Sequence, residues 1–212
     1  MAESALKSLE LFKFDSVIRA QFPVIVGIDE AGRGPLAGDV FAAAVIFPEG
    51  VQINGLNDSK KLTEKKRCYL FDEIREKALA YAIATASVSE IEEMNILNAA
   101  MLAMERAFNG LEANADIVLV DGNKAPEIEG NVKTIVKGDA TSASIAAASI
   151  LAKVARDNYA VRLDYEYPEY GFAKHKGYGT ALHIEMLKKY GPCPIHRMSF
   201  LKKILGESKQ ND

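Results

Sequence analysis

The sequence has few cysteines, no long apolar run and no excess of positive charge. Its 212 residues include two cysteines, Cys68 and Cys193, which show no metal-ligand spacing, so we expect incidental thiols in a reducing compartment. The longest stretch of small apolar residues, 144–155, is too short to span a bilayer. Residues 1–14 lack the basic region and unbroken apolar run of a signal peptide. These absences predict a soluble, cytoplasmic protein.

The net charge argues at first against a nucleic-acid partner, because phosphate binding usually requires an excess of lysine and arginine. The formal net charge is −3. Residues 1–132 carry 13 basic and 21 acidic residues, whereas residues 133–212 carry 13 basic and 8 acidic residues. Taken alone, this imbalance is better explained by ordinary surface variation than by a phosphate-binding C-terminal third beside an acidic, cation-binding pocket.

Hydrophobic periodicity predicts a single α/β domain over residues 1–212, with its core at about 22–200 and a polar tail at 204–212. Apolar runs predict five strands, and helical spacing of apolar residues predicts four helices. The predicted strands are 24–28, 40–47, 81–88, 117–120 and 132–136, and the predicted helices are 63–78, 94–111, 141–162 and 181–189. This order indicates a mixed five-stranded sheet flanked by helices, with a helical C-terminal part.

Four acidic residues follow predicted strands. Asp29 and Glu30 come after the first strand, Asp121 after the fourth, and Asp139 after the fifth by a short turn. Ligands of α/β sheets gather where strands end. Clustered carboxylates raise each other's pKa unless a cation neutralises them, and hard oxygen ligands select Mg²⁺ or Mn²⁺. Because two such ions can stabilise both oxygens of a displacement at phosphorus, the four acids together predict phosphodiester hydrolysis.

Each acid also has a structural explanation. Asp121 and Gly122 are a common turn pair, and Asp139 could cap the helix that follows it. For any single acid, structure is the better explanation. Four acids placed in the same way favour a metal site.

A glycine-rich segment at 32–38 lies between the first two strands. Its spacing is wrong for a dinucleotide-binding loop, because Pro35 intervenes and a strand rather than a helix follows. Gly32 and Gly34 would instead let the backbone approach a ligand closely, while Arg33 offers its guanidinium to a phosphate. Backbone groups at such a turn could also contact the 2′-hydroxyl that distinguishes RNA from DNA.

Other polar residues allow more than one interpretation. The basic run 60–67, beginning with Lys60, fits contact with a duplex backbone and a solvated helix start about equally. His175, His183 and His196 lack the paired spacing of a zinc site, which favours surface packing or a phosphate contact.

Several motifs together resemble the ribonuclease HII family. The segment from Gly27 to Gly38 is similar to its signature, and other similar motifs follow in the expected order, at 57–62, 121–122, 137–139, 144–157, 174–178 and 195–197. These segments extend from about residue 24 to residue 200. Several long motifs in order are far more specific than any one of them.

The resemblance implies a ribonuclease H-like fold in which the same four acids are catalytic and hold two Mg²⁺ or Mn²⁺ ions. It implies that the turn Gly32-Arg33-Gly34 contacts the ribonucleotide and its phosphate, and that Tyr178 packs on the following deoxyribose. The implied activity is endonucleolytic cleavage 5′ of a ribonucleotide, in RNA–DNA hybrids and in duplex DNA with single ribonucleotides, leaving 3′-hydroxyl and 5′-phosphate ends. It would serve ribonucleotide excision repair and RNA primer removal.

Two details refine this expectation. The related ribonuclease HIII has an extra N-terminal domain and lacks the Gly-Arg-Gly turn, and with few residues before Val24 we expect type HII. Gly179 stands where the family usually has proline after the tyrosine. Because glycine frees the backbone that proline would restrict, we expect Tyr178 to be held less rigidly and discrimination at the RNA–DNA junction to be slightly weaker.

Two alternatives stay open. Another nuclease or a strand-transfer enzyme on the same fold would share the acids but not the Gly-Arg-Gly turn with Tyr178. A non-catalytic nucleic-acid-binding relative need not keep all four acids. We expect a monomer without membrane contact or an obligatory protein partner, and the tail 204–212 lacks the paired aromatics of a sliding-clamp binding peptide.

Overall fold

Five strands form one mixed sheet in the computed structural model, which describes residues 2–206. The strands are β1 (Ile25–Ala31), β2 (Val40–Ile46), β3 (Ala80–Ala86), β4 (Ile117–Asp121) and β5 (Val132–Ile135). Their order across the sheet is β3-β2-β1-β4-β5. The pairs β1–β2 and β2–β3 are antiparallel, whereas β1–β4 and β4–β5 are parallel. β1 is therefore the central strand, where the antiparallel and parallel parts of the sheet meet.

Helices cover both faces of this sheet. Within residues 2–206 they are α1 (Ala2–Arg19), α2 (Glu64–Lys77), α3 (Val88–Asn109), α4 (Ala143–Glu166), α5 (Phe172–His175), α6 (Ala181–Tyr190) and α7 (Met198–Leu201). α4 packs on β1 and β2 from one face, and α3 packs on β2 and β3 from the other. Among the described residues, no helix combines the length and apolar character needed to cross a membrane.

β2 is apolar at every position because both of its faces are buried. Ala43 and Val45 belong to the apolar core beneath α4, whereas Ala44 and Ile46 belong to the core beneath α3. Successive side chains of a strand point to opposite faces, so a strand covered on both faces is apolar throughout.

α4 lies unusually close to β1. A Cβ atom on Gly27 would lie 2.1 Å from the carbonyl carbon of Ser144, so only glycine permits this approach. The start of the helix is capped twice: the Ser142 side chain accepts from the backbone N–H of Ile145, and Asp15 accepts from both the N–H and the hydroxyl of Ser144 at 2.8 Å. The contact thereby fixes the first turn of α4 against the central strand.

The first helix is a feature that the periodicity analysis did not predict. Helix α1 makes its hydrophobic contacts with elements distant in the chain, since Leu11 is fully buried in the core shared with α4. Asp15 supplies the capping bonds just described. Its stability thus depends on partners more than 100 residues away, as for Asp15 and Ser144 with a separation of 129.

Element boundaries also differ from the prediction. β1 continues to Ala31, so Asp29 and Glu30 lie inside the strand rather than after it. β3 ends at Ala86 because Ser87 forms a capping box with Glu90, which starts α3 at Val88 instead of at 94. The helix is interrupted at Asn95, whose φ is 71°. α4 extends four residues beyond its predicted end at 162.

Replacing Gly27 with alanine should destabilise the protein by about 3 kcal/mol or more, because the added methyl group overlaps backbone that cannot move independently. Thermal unfolding followed by circular dichroism measures the change. Gly50→Ala is the matched control: nothing lies within 4 Å of its new methyl, and its φ of +75° should cost only about 1–2 kcal/mol. Equal losses in the two variants would contradict the close contact.

Candidate functional site

The four predicted acids meet at one end of the central strands. Asp29 and Glu30 lie in β1, and Asp121 is the last residue of β4, whose residue Val120 pairs with Ile28. Asp139 lies in a short 3₁₀ turn, Gly138–Ala140, between β5 and α4. The parallel pairing of β1 with β4 therefore brings residues that are about 90 positions apart in the sequence to one sheet edge.

Backbone hydrogen bonds hold two of these acids together. The Asp121 carboxylate accepts from the N–H of Gly138 at 2.6 Å and from the N–H of Asp139 at 3.3 Å. Asp139 does not cap α4, since Ser142 fills that position. The capping explanation for Asp139 is therefore wrong. Asp121 not only begins a turn with Gly122 but also holds the backbone of residues 138 and 139.

The carboxylates raise one another's pKa. Burial raises the pKa of Asp29 well above its ordinary value, and the charges of Glu30 and Asp121 raise it further. Burial is also the main reason that the pKa of Asp121 is raised, with the charge of Glu30 adding to it. The pKa of Asp139 is raised by burial and then by Asp121. The site thus holds more negative charge than its own groups can neutralise.

Lys60 lies beside Asp139 at the edge of these acids. Its Nζ is 3.6 Å from a carboxylate oxygen of Asp139, while its side chain is 77% exposed. Partial burial lowers the pKa of Lys60, but the charges of Asp139, Asp29 and Asp58 outweigh this, and the pKa is raised. The structure therefore places Lys60 beside the acids with its side chain open to solvent, where it can also meet a ligand.

The other residues of the basic run 60–67 have different surroundings. Thr63 caps α2 and accepts from the N–H of Lys66. Arg67 is largely buried: it donates to the carbonyls of Ser59 and Leu62 and lies 3.6 Å from Asp157. Arg67 thus joins α2 to α4, so a solvated helix start is the wrong explanation for this residue.

The donor set fits hard divalent cations. In the part of the chain that the structure describes, no group of three or more His, Cys, Asp or Glu side chains is arranged to hold a metal ion as it stands. Yet each of the four donors is a carboxylate, three of them have raised pKa values, and Lys60 partly compensates their charge. Oxygen donors with uncompensated negative charge are what Mg²⁺ and Mn²⁺ require.

The glycine-rich turn lies beside the acids, and the buried Arg197 binds its backbone carbonyls. Arg197 is fully buried and donates five hydrogen bonds to backbone carbonyls of the turn. Its acceptors are Gly32 at 2.8 Å, Arg33 at 3.1 Å, Pro35 at 2.9 Å and Gly38 at 2.8 and 2.6 Å. The planar, five-donor guanidinium suits such a set of acceptors.

A second buried arginine lies under Gly32. A Cβ atom there would be 2.3 Å from Nε of Arg156, and the φ of Gly32 is +102°, so glycine is required on both counts. Arg156 donates to the carbonyls of Lys176 at 2.7 Å and Ala37 at 3.2 Å. Burial, and then the charge of Arg156, lowers the pKa of Arg197 to about 10. Two adjacent buried cations thus hold the turn together with the loop around residue 176.

That loop brings Tyr178 to the turn. A Cβ atom on Gly34 would lie 3.5 Å from Cε1 of Tyr178, whose side chain is 41% exposed. The N–H of Leu36 donates to the carbonyl of Gly177 at 2.8 Å. Arg33 lies 3.2 Å from Glu30, which joins the turn to the acids. The structure therefore places the four acids, the Gly-Arg-Gly turn and Tyr178 next to one another.

The role of Arg197 and the burial of the histidines were not found from the sequence. The acceptors of Arg197 are about 160 positions away in the chain, so its contacts are not evident from the sequence around it. His175, His183 and His196 are 7%, 0% and 2% exposed, so surface packing is the wrong explanation for them. The one available signal was that two of these histidines and Arg197 lie in the motifs 174–178 and 195–197.

A family model described as Ribonuclease HII matches residues 26–203 of the chain. A Ribonuclease HII of Caldicellulosiruptor bescii is 55% identical over 191 residues, which cover 90% of this chain and 93% of that protein. The resemblance noted in the sequence is therefore confirmed over most of its length.

Solved structures confirm the ribonuclease H-like fold. The ribonuclease H2 of Pyrococcus horikoshii OT3 has a TM-score of 0.70 and 29% identity, over 89% of this chain and 100% of that one. The PCNA:RNase HII complex from Archaeoglobus fulgidus has a TM-score of 0.64 and 25% identity, over 82% and 94%. Bst-RNase HIII in complex with Mn²⁺ has a TM-score of 0.69 over 89% and 71%, and at 19% identity it is evidence for the fold alone.

The raised pKa of Asp29 leads to a prediction for the metal-free protein. A carboxyl group whose folded-state pKa is raised stabilises the fold below its ordinary pKa and loses that contribution as pH rises through the raised value. Asp29→Asn removes the repulsion, so at pH 8 with a chelator the variant should be more stable than wild type by about 1–2 kcal/mol. The difference should shrink towards pH 4.

Chemical denaturation at pH 4, 6 and 8 measures this difference. Asp72→Asn is the control, because the side chain of Asp72 is 79% exposed and its carboxylate lies 3.8 Å from Arg75, away from the four acids. This control should match wild type throughout. A metal-free Asp29→Asn protein that is less stable than wild type at pH 8 would contradict the interpretation.

Proposed function

Because the chain belongs to the ribonuclease HII family, and is therefore a ribonuclease H with endonuclease activity, we propose that it cuts the phosphodiester on the 5′ side of a ribonucleotide. The proposed substrates are RNA–DNA hybrids and duplex DNA that contains single ribonucleotides. The proposed products are 3′-hydroxyl and 5′-phosphate ends. The observation that carries the proposal is the contact of the Gly-Arg-Gly turn with both the acids and Tyr178.

The four acids would hold two divalent cations, Mg²⁺ or Mn²⁺. When bound, such ions supply charge stabilisation for both the attacking and the leaving oxygen of an in-line displacement at phosphorus. The raised pKa values of Asp29, Asp121 and Asp139 support this assignment, since a carboxylate cluster of this kind gains most from cation binding.

Selection of the ribonucleotide would fall to the turn and to Tyr178. Arg197 holds the carbonyls of the turn from its buried side, which leaves the opposite side to approach a sugar hydroxyl. Arg33, paired at 3.2 Å with Glu30 at the edge of the acids, is placed to contact a neighbouring phosphate. The exposed ring of Tyr178 would pack on the deoxyribose that follows the ribonucleotide.

The biological setting remains part of the proposal. We propose roles in ribonucleotide excision repair and RNA primer removal, by a single catalytic domain that acts as a monomer. The archaeal PCNA:RNase HII complex shows a clamp partner for that relative. Our prediction that the tail 204–212 makes no clamp contact concerns mainly residues 207–212, which lie outside the described part of the chain.

A cleavage assay tests the proposal directly. A DNA duplex with one ribonucleotide, incubated with the protein and Mg²⁺ or Mn²⁺, should be nicked only on the 5′ side of the ribose. Removal of the metal by a chelator should abolish cutting, and Asp29→Asn should lower the rate by more than about 100-fold because a ligand is lost. Asp72→Asn serves as the folded, active control.

The same assay separates the alternatives. Equal cutting of an all-DNA duplex would favour another nuclease on this fold. Binding without any nick in either metal would favour a non-catalytic relative. Full activity of Asp29→Asn would exclude the proposed metal site.

Gly179 provides a prediction about specificity. Its φ lies outside the left-handed region, and a Cβ atom would be 3.1 Å from a terminal methyl of Leu36, which a small side-chain movement relieves. Gly179→Pro should therefore fold and restrict the backbone after Tyr178. Its preference for a deoxyribose over a ribose on the 3′ side of the cut ribonucleotide should rise by roughly twofold or more. Identical preferences in the variant and wild type would contradict the prediction.

A further inference from the structure

A buried group of three histidines lies under the loop that carries Tyr178. His183 stacks on His175 with ring centroids 4.3 Å apart, and its Nε2 lies 3.0 Å from Nε2 of His196. Phe172 contacts all three rings, with centroids 5.4 to 5.7 Å away. These histidines are not part of the acidic site, and the proposed reaction assigns them no role.

Backbone partners determine which nitrogen carries the proton in each ring. The carbonyl of Tyr178 can only accept, so Nδ1 of His183, 3.0 Å away, carries the proton, and Nε2 of His183 accepts from the Nε2–H of His196. Nδ1 of His196 lies 3.0 Å from the N–H of Cys193 and 3.3 Å from the carbonyl oxygen of the same residue, and without a proton it accepts from that N–H. The hydrogen bonds run in one direction, from Cys193 to the backbone of Tyr178.

The position of the proton on His175 follows from its backbone partners in the same way. The N–H of Gly177 donates to its Nδ1 at 3.2 Å, so Nε2 carries the proton and donates to the carbonyl of Tyr170 at 2.8 Å. The backbone carbonyl of His175 also accepts from the N–H of Tyr178 at 2.9 Å. Each ring therefore uses one nitrogen as donor and the other as acceptor.

The chain of hydrogen bonds requires neutral rings. Protonation of His183 would place one N–H against the N–H of His196. Burial lowers the pKa of both His183 and His196 to about 4, so both are neutral at physiological pH. Neutral rings with defined donors and acceptors can hold a neighbouring backbone in one position.

The carbonyl of Tyr178 accepts from two donors, the His183 ring and the N–H of Thr180 at 2.8 Å. The rest of the loop is held from the other side: Arg156 binds the carbonyl of Lys176, and Leu36 binds that of Gly177. His183 thus supplies a side-chain hydrogen bond to the backbone of Tyr178, while the cationic groups of Lys153 and Arg156 each lie 5.8 Å from the centre of the Tyr178 ring.

We propose that His183, oriented by His196, is a positioning residue for Tyr178. Its hydrogen bond sets the backbone of Tyr178 so that the ring meets the sugar on the 3′ side of the ribonucleotide. This inference rests on the proposed function, because it assumes that Tyr178 distinguishes deoxyribose from ribose there. His183 contacts no reacting group and acts only through the tyrosine.

The test compares two substrates, a ribonucleotide followed by deoxyribose and one followed by ribose, and measures the ratio of their kcat/KM values. His183→Leu removes the donor to Tyr178, so this ratio should fall roughly three- to tenfold, as expected for one lost hydrogen bond. His183→Asn keeps a donor near the position of Nδ1 and should restore most of the ratio. In a Tyr178→Ala background, His183→Leu should change the ratio no further.

Phe172→Leu is the matched control, because it loosens the packing around the rings and leaves their hydrogen bonds in place. It should lower the melting temperature but not the ratio. If His183→Leu fails to fold, His196→Leu and His196→Gln replace it, since only glutamine keeps a donor for His183.

Three results would overturn the proposal: an unchanged ratio in His183→Leu, an equal fall in Phe172→Leu, or a further fall in the Tyr178→Ala background. Failure of the proposed function is distinguishable from these, since it would appear in the wild type. A wild-type protein that cuts neither substrate, or that cuts both equally, lacks the specificity that His183 is proposed to support.

Discussion

The contact between Gly27 of β1 and the first turn of α4 is the constraint on which the site depends. Because no side chain separates them, the helix starts directly over the central strand, and Asp139, just before that helix, reaches Asp121. The same helix carries Ser149, whose side chain forms a hydrogen bond with Asp29. Further along, it carries Arg156, which lies beneath Gly32. One close approach thereby positions both the acids and the turn relative to each other.

The site is costly to the fold that contains it. Burial and mutual repulsion raise the pKa values of Asp29, Asp121 and Asp139, and the exposed Lys60 compensates their charge only in part. Two buried arginines add cationic groups nearby, but the terminal nitrogens of both donate to backbone carbonyls. The negative charge of the acids therefore stays available for binding cations. The arginines make the turn rigid, and this turn is the segment proposed to contact the sugar.

Arg197 and His183 perform similar tasks with different chemistry. Arg197 is a fully buried cation that satisfies the carbonyls of the Gly-Arg-Gly turn. His183 is a fully buried neutral ring that binds the carbonyl of Tyr178. Both hold main chain instead of substrate, so the groups that would face the nucleic acid, Arg33 and Tyr178, are placed by residues that lie behind them.

The sequence by itself predicted the sheet, its α/β class and the places of the four acids and the glycine turn, because short apolar runs followed by carboxylates are local patterns. It did not determine the helix α1, which is stabilised by residues distant in the chain, or the end of β1, where Asp29 and Glu30 lie inside the strand. Only the tertiary structure showed that Arg197 and the three histidines are buried supports. Their partners are backbone carbonyls and rings brought near by folding, and every residue type offers a carbonyl. The motifs 174–178 and 195–197 therefore include His175, His196 and Arg197 without indicating what these residues contact.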